Sequence, residues 1–233
     1  MRRSTSSGIW ARTMTAKSPR SRVRRHPERG NYDRAVIDAI LDEALCCHVG
    51  FVAEGQPFVI PTIHARVGDV LYLHGSPASR MLQELGRGLD ICVTATLLDG
   101  IVLARSVYNH SLNYRSAIVL GRGRLVGDPK EKLAALTAVV EHIVAGRSSD
   151  ARAPSEKELA GTSVVAMQLD EASAKVRTGP PIDFDADLGL PIWAGVIPVR
   201  LAAGAPVTDE QVVGITPPAY ATSYRRPGRL PLT

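Results

Sequence analysis

The sequence predicts a mainly β protein with flanking helices, organised as a small barrel. Three observations point there. Short apolar runs follow one another between residues 48 and 126, separated by turns containing Gly and Asp. Strands and helices do not alternate along the chain, which argues against a doubly wound parallel sheet. A hydrophobic fraction of 45% in 233 residues is ample for one sizeable core.

The elements follow in order. Residues 32–45 place Val36, Ile37, Ile40, Leu41 and Leu45 at helical spacing, with Asp38, Asp42 and Glu43 on the other, solvated side. Strand-like runs come next at 48–53, 57–67 and 70–73, divided by the Glu54-Gly55-Gln56 and Gly68-Asp69 turns. A short helix near 79–85 precedes runs at 90–97, 101–107 and 114–126, with Asp99-Gly100 read as a turn. Asp128-Pro129 opens a helix through Leu133, Leu136, Val140 and Ile143. A polar loop, a short helix at 155–159 and a strand at 162–169 follow, the strand closing the barrel. From Gly179 onward repeated prolines imply an extended arm carrying Trp193. The division expected is a disordered basic arm at 1–21, a barrel domain at 22–208 and an extended or disordered tail at 209–233.

Net charge is +5, but residues 1–29 hold eight Arg and one Lys against Glu28 alone, +8, which leaves −3 for the remainder. Basicity therefore belongs to the N-terminal arm. Rich in Arg and Ser, that arm superficially resembles a transit peptide and could neutralise nucleic-acid phosphates. It lacks helical periodicity and, apart from Trp10, aromatic residues. A disordered leader, or a translation start placed too early, is the better expectation, with nucleic acid not expected as a partner. No apolar run reaches the roughly 18 residues needed to span a bilayer. Cys46, Cys47 and Cys92 form no chelating pair or disulfide framework, which points to a reducing, cytoplasmic setting.

Two places carry candidate chemistry. In residues 69–82 a strand runs through His74-Gly75-Ser76 into a helix, with Ser76 suited to an N-cap and Pro77 to the first turn. Ser76, Ser79 and Arg80 would gather two hydroxyls and a guanidinium where unpaired N–H groups point, and a phosphate would fit. An ordinary capped helix with a surface arginine is the competing reading. At the second place, Asn113-Tyr114-Arg115-Ser116 opens an apolar strand and delivers Arg115 and Ser116 at a rigid strand end. Arg115 could complement a phosphate or the charge of a reduced cofactor ring, or could simply pair with a carboxylate at the rim. The glycines of Gly121-Arg122-Gly123 lie inside a strand, so they mark a bulge or a close approach and not a dinucleotide loop. No nucleophile elbow is present. The six histidines are scattered without a short-range metal pair, and His64, alternating along a strand, is expected to face solvent.

Taken together, these segments resemble the FMN-binding split-barrel superfamily typified by pyridoxamine 5'-phosphate oxidase, and within it the nitroimidazole-resistance (nitroimidazole reductase) branch. The resemblance rests on Tyr32-Asp33, residues 40–44, 48–52 and 57–61, Leu71 to Ser76 with Ser79-Arg80, Asn109 to Ser111, Asn113 to Ser116, and Trp193 to Pro198. It implies a six-stranded antiparallel split β-barrel forming a homodimer, with FMN in a groove at each end of the interface. The ring would lie against Val59, Ile60, Pro61 and Thr62. The phosphate would be held by the segment His74, Gly75, Ser76, Ser79 and Arg80, helped by Arg115 and Ser116. Trp193 would cover the flavin from the partner subunit, and His74 would act as the catalytic group, donating a proton or shaping the pocket. Arg80 departs from the lysine many members carry, and no pyridoxal-phosphate-binding pattern is present. The implied activity is FMN-dependent reduction of a small molecule such as a nitro-aromatic ring. Haem binding or degradation through His74 or His110, or a non-enzymatic flavin-binding stress protein, are the alternatives.

Overall fold

The computed structural model describes residues 18–226; residues 1–17, most of the expected basic arm, and 227–233 lie outside them. Two antiparallel sheets carry the structure. The larger runs β1 (Gly30–Asn31), β10 (Glu171–Arg177), β7 (Ser111–Arg122), β6 (Asp90–Leu103), β2 (Cys47–Ala53), β3 (Gln56–Thr62), with β11 (Gly195–Pro198) added to the far half of β6. The smaller runs β4 (His64–Val67), β5 (Val70–Gly75), β9 (Ser163–Gln168), β8 (Arg124–Leu125). The helices are α1 (Arg34–Glu43), α2 (Arg80–Gly86), α3 (Pro129–Ile143), α4 (Arg147–Asp150), α5 (Glu156–Ala160) and α6 (Ala219–Thr222). This is a split barrel, mostly antiparallel sheet with a few flanking helices. Among the described residues no helix is long and apolar enough to cross a membrane.

The split arises because the chain crosses between sheets four times, at Ile63, through α2, at Gly123 and after Gln168. The run expected as one strand at 57–67 is therefore two strands in different sheets, and the run at 114–126 divides likewise. Gly123 is where the third crossing needs a bare backbone. A Cβ there would stand 2.7 Å from the Leu85 carbonyl oxygen and from a Val165 methyl, too close for any side chain. The close approach expected of a strand glycine is thus observed. β3 sits at the sheet edge, where Pro57 and Pro61 cost no ladder hydrogen bond.

The core fills the space between the sheets. Val49 and Phe51 of β2, Val93 and Ala95 of β6, Ala117 and Val119 of β7 and Ala172 and Ala174 of β10 face Leu71, Leu73, Val165 and Met167. α1 and α2 close the ends with Ile37, Ile40, Leu41, Leu82 and Leu85. β10 and β1 were not anticipated: Glu171–Arg177 alternates Ala172, Ala174 and Val176 with polar residues, a period of two whose inward members are too small to stand out, and it is fixed by pairing with β7.

Two expectations for α1 and β6 are corrected. The acidic side of α1 is not a solvated face: Asp38 is buried against Arg34 and Arg66, Asp42 holds Arg66, and Glu43 holds Arg115. Asp99-Gly100 is not a turn. β6 runs unbroken through it with a bulge between Leu98 and Gly100, because its partner β7 continues on the other side. His64, expected to face solvent, is fully buried; its Nε2 lies 2.9 Å from the Leu41 carbonyl, and its ring packs 4.7 Å from that of His142. Close by, Arg226 donates to the carbonyls of Asp42, Glu43 and His142, so the returning tail caps the C-terminal ends of α1 and α3.

Candidate functional site

The β5–α2 connection is a tight turn rather than a helix start. Ser79 N donates to Ser76 O at 2.9 Å, and Ser76 Oγ accepts from Ala78 N at 3.2 Å. Pro77 thus occupies the second position of a β-turn, where its fixed φ is favourable, and the N-cap of α2 is Ser79, whose side chain makes no cap hydrogen bond. Ser76 is therefore not the cap that its sequence context suggested. Arg80 is exposed, and its guanidinium lies 5.1 Å from the centre of the Phe58 ring. Among the described residues no carboxylate pairs with it. Phe58, which stacks on Phe51 at 5.4 Å, is a residue the sequence reading missed. It belongs to β3, so the Arg80–Phe58 contact brings the turn segment and the Val59-Ile60-Pro61-Thr62 strand to one place. On that strand Ile60, on the same face as Phe58, is 37% exposed, which leaves an apolar strip beside a cation without a carboxylate partner.

Arg115 and Ser116 do not join them as a pair. Consecutive strand residues point to opposite faces. Arg115 points inward, its Nη1 2.5 Å from Glu43 Oε2 and its Nε 2.9 Å from Asp99 Oδ2, with Nη2 bridging both carboxylates. One cation faces two carboxylates, so the cluster is net negative and holds Arg115 even more firmly protonated than usual, mainly through Asp99 and then Glu43. That is a poor phosphate clamp. It matches the rim-pairing alternative, and Asp99 could not be foreseen as the partner while it was read as a turn residue. Ser116 lies on the outer face, where its hydroxyl donates to Lys175 O at 3.3 Å.

His74 pairs in register with Val164. By strand alternation it shares a face with Tyr72, whose cluster of Val126, Ala135, Val164 and Ala166 is covered by α3. Its Nδ1 is buried with no hydrogen-bond partner among the described residues, and burial pushes its pKa below the usual histidine value. A neutral imidazole at pH 7 follows. Asn113 and Arg177 anchor the start of the extended arm through the carbonyls of Gly179 and Pro180. Along the arm, Asp183 grips Arg105, and Phe184 stacks on Tyr108. Trp193 is 66% exposed, and its ring covers Gly195 so closely that a Cβ there would sit 2.8 Å from it.

The loop after β6 adds a feature the sequence left undeveloped. His110 Nδ1 lies 2.9 Å from Ser106 O, which fixes the proton on Nδ1 and leaves the Nε2 lone pair free. Beside it Val107 is 94% exposed, and Tyr108, Ile182 and Phe184 are also exposed, a patch far more apolar than an ordinary surface loop. Among the described residues no group of His, Cys, Asp and Glu is arranged to hold a free metal ion.

The architecture and these clefts define a split-barrel protein. Residues 33–176 match the family model described as pyridoxamine 5'-phosphate oxidase, and the chain belongs to that family. Among solved structures, the flavocytochrome Anf3 from Azotobacter vinelandii is 40% identical with a TM-score of 0.85, over 91% of this chain and 99% of that one. A FAD- and haem-binding protein from Mycobacterium smegmatis is 35% identical with a TM-score of 0.80, over 84% and 96%. A candidate 5-nitroimidazole antibiotic resistance protein from Bacteroides thetaiotaomicron is 28% identical with a TM-score of 0.52, over 63% and 86%. No curated protein matches the sequence.

Proposed function

We propose that this protein is a flavin-dependent oxidoreductase that also holds haem, acting as a homodimer on a small-molecule substrate in a reducing compartment. The observation that carries the reading is the likeness to a flavocytochrome over 99% of that protein's length, at 40% identity. The haem alternative raised by the sequence thus becomes a companion of the flavin rather than its rival. Nitro-aromatic reduction remains the sequence-derived choice of activity, supported more weakly by the nitroimidazole-resistance likeness.

The residues present fit both groups. For the flavin, the apolar strip of β3 suits a planar ring, and Arg80 is an unpaired guanidinium for its phosphate end, with Ser76 and Ser79 beside it. For haem, His110 offers a free Nε2 whose opposite nitrogen is tied to a carbonyl, the arrangement usual for a metal-ligating imidazole, among exposed apolar side chains. When bound, the flavin supplies hydride and single-electron chemistry and the haem supplies single-electron chemistry. His74 keeps a neutral imidazole near the β5–α2 turn, able to donate or accept one proton. The exposed arm with Trp193 suits a partner subunit that completes the groove, and its apolar side chains favour burial in a dimer.

Absorption spectroscopy of the purified full-length protein tests this. Flavin bands together with a Soret band are expected, with His110→Ala losing the Soret band and keeping the flavin. A protein lacking both chromophores after purification and reconstitution ends the proposal. Arg80→Ala should weaken flavin binding by about 1–3 kcal/mol, the scale of a charge-assisted hydrogen bond, as read by fluorescence titration. Unchanged affinity would remove Arg80 from the site.

A further inference from the structure

On the outer face of the large sheet, residues 20–25 lie across β7 and β10 like a strap. Arg20 fastens it, its Nη2 2.5 Å from Glu171 Oε2, and Val23 N donates to Tyr32 Oη at 2.9 Å. Beneath the strap is a cavity of about 230 Å³, lined by Arg20 to Arg25 on one side and by Ser116, Ile118, Ser173 and Lys175 on the other. The lining is one-sided in charge. Arg22, Arg24, Arg25 and Lys175 meet no carboxylate among the described residues, and Lys175 is half-buried. Ser173 faces the same cavity and is only 5% exposed.

Cations gathered around one cavity repel one another, so such an arrangement is costly unless an anion occupies it. Exposed surface arginines alone would give no cavity, and a structural cluster would contain acids, as the Arg115 cluster does. The geometry points to a site for a pyrophosphate group, held by the Arg22, Arg24, Arg25 and Lys175 cations with the Ser173 hydroxyl. Two phosphoryl units match the number of free cations better than one. The group belongs to a nucleotide other than the flavin, because the phosphate end of the flavin is assigned to Arg80 above.

Calorimetric titration of inorganic pyrophosphate into the full-length protein, as purified and after loading with FMN, tests the site. The FMN-loaded protein should bind pyrophosphate, and the triple variant Arg24→Gln, Arg25→Gln, Lys175→Gln should bind it at least about tenfold more weakly, the effect of losing one charge-assisted contact or more. A control with equal charge loss elsewhere, Arg87→Gln, Arg152→Gln, Lys157→Gln, should bind like the parent; both sets remove exposed or half-buried cations and should keep the native circular dichroism. FAD-loaded protein should still bind pyrophosphate; displacement of pyrophosphate by FAD would give the group to the flavin and overturn the assignment. No binding to the FMN-loaded parent, or equal binding by the two triple variants, overturns the site. Absence of flavin uptake bears on the proposed function alone, because the pyrophosphate titration then reads the same site in flavin-free protein.

Discussion

Replacing Arg115 with Ala is expected to destabilise the protein by about 3–5 kcal/mol, because it leaves two largely buried carboxylates facing each other without their cation. The Glu43 side chain is 15% exposed and that of Asp99 5%, so neither can recover its hydration in place. The loss should appear as a lower urea midpoint with little change in slope. Removing the acids as well, in a triple variant with Glu43→Gln and Asp99→Asn, should restore much of the stability, since the penalty lies in the unpaired charge. If Arg115→Ala instead leaves stability intact and abolishes flavin binding, the arginine is a cofactor ligand and the ion cluster is incidental.

The second large effect is pH dependence centred on His64. Burial, followed by the neighbouring His142 ring, lowers its pKa from 6.5 to about 4. The unfolded chain therefore binds a proton between those values that the folded protein refuses. Stability is full above pH 6.5 and falls as pH drops toward 4, by about 3 kcal/mol in all, since a tenfold change in proton affinity is worth about 1.4 kcal/mol. His142 moves in the same direction, chiefly through burial, and the Arg226 guanidinium opposes protonation of both rings. Urea unfolding between pH 7 and pH 4.5 reads the slope directly. His64→Gln, which can still donate to the Leu41 carbonyl, should flatten it; an unchanged slope would place the titration elsewhere.

Much of the fold was legible locally. Asp128 caps α3 as the Asp128-Pro129 pair suggests, and the short helix expected at 155–159 stands at Glu156–Ala160. The Glu54-Gly55 hairpin turn takes positive φ at both residues, at the place marked by its glycine. The misreadings share a cause. Asp99 in a bulge, His64 in the interior and the acidic side of α1 all look solvent-facing in sequence, since polarity usually signals exposure. Each is instead held by a partner from another element (Arg115 for Asp99 and Glu43, the Leu41 carbonyl for His64, Arg66 for Asp38 and Asp42), and no local pattern encodes such a partner. β10 was invisible for the same reason: its strand identity comes from β7.

The candidate site divides along the same line. The junction after β5 and the arginine it presents could be found from adjacent residues, though not that a β-turn precedes the helix there; the family resemblance was legible too, because both depend on short-range spacing. That Arg80 meets Phe58, that Arg115 is taken by Glu43 and Asp99, and that Lys175 lies under residues 20–25 were decided by the folded chain. Adjacent residues share backbone geometry and so advertise caps, turns and periodicity in sequence. Charges and rings brought together from 16 to more than 100 residues apart do so only once the sheets have closed, and it is those meetings that determine which cation remains free for a ligand.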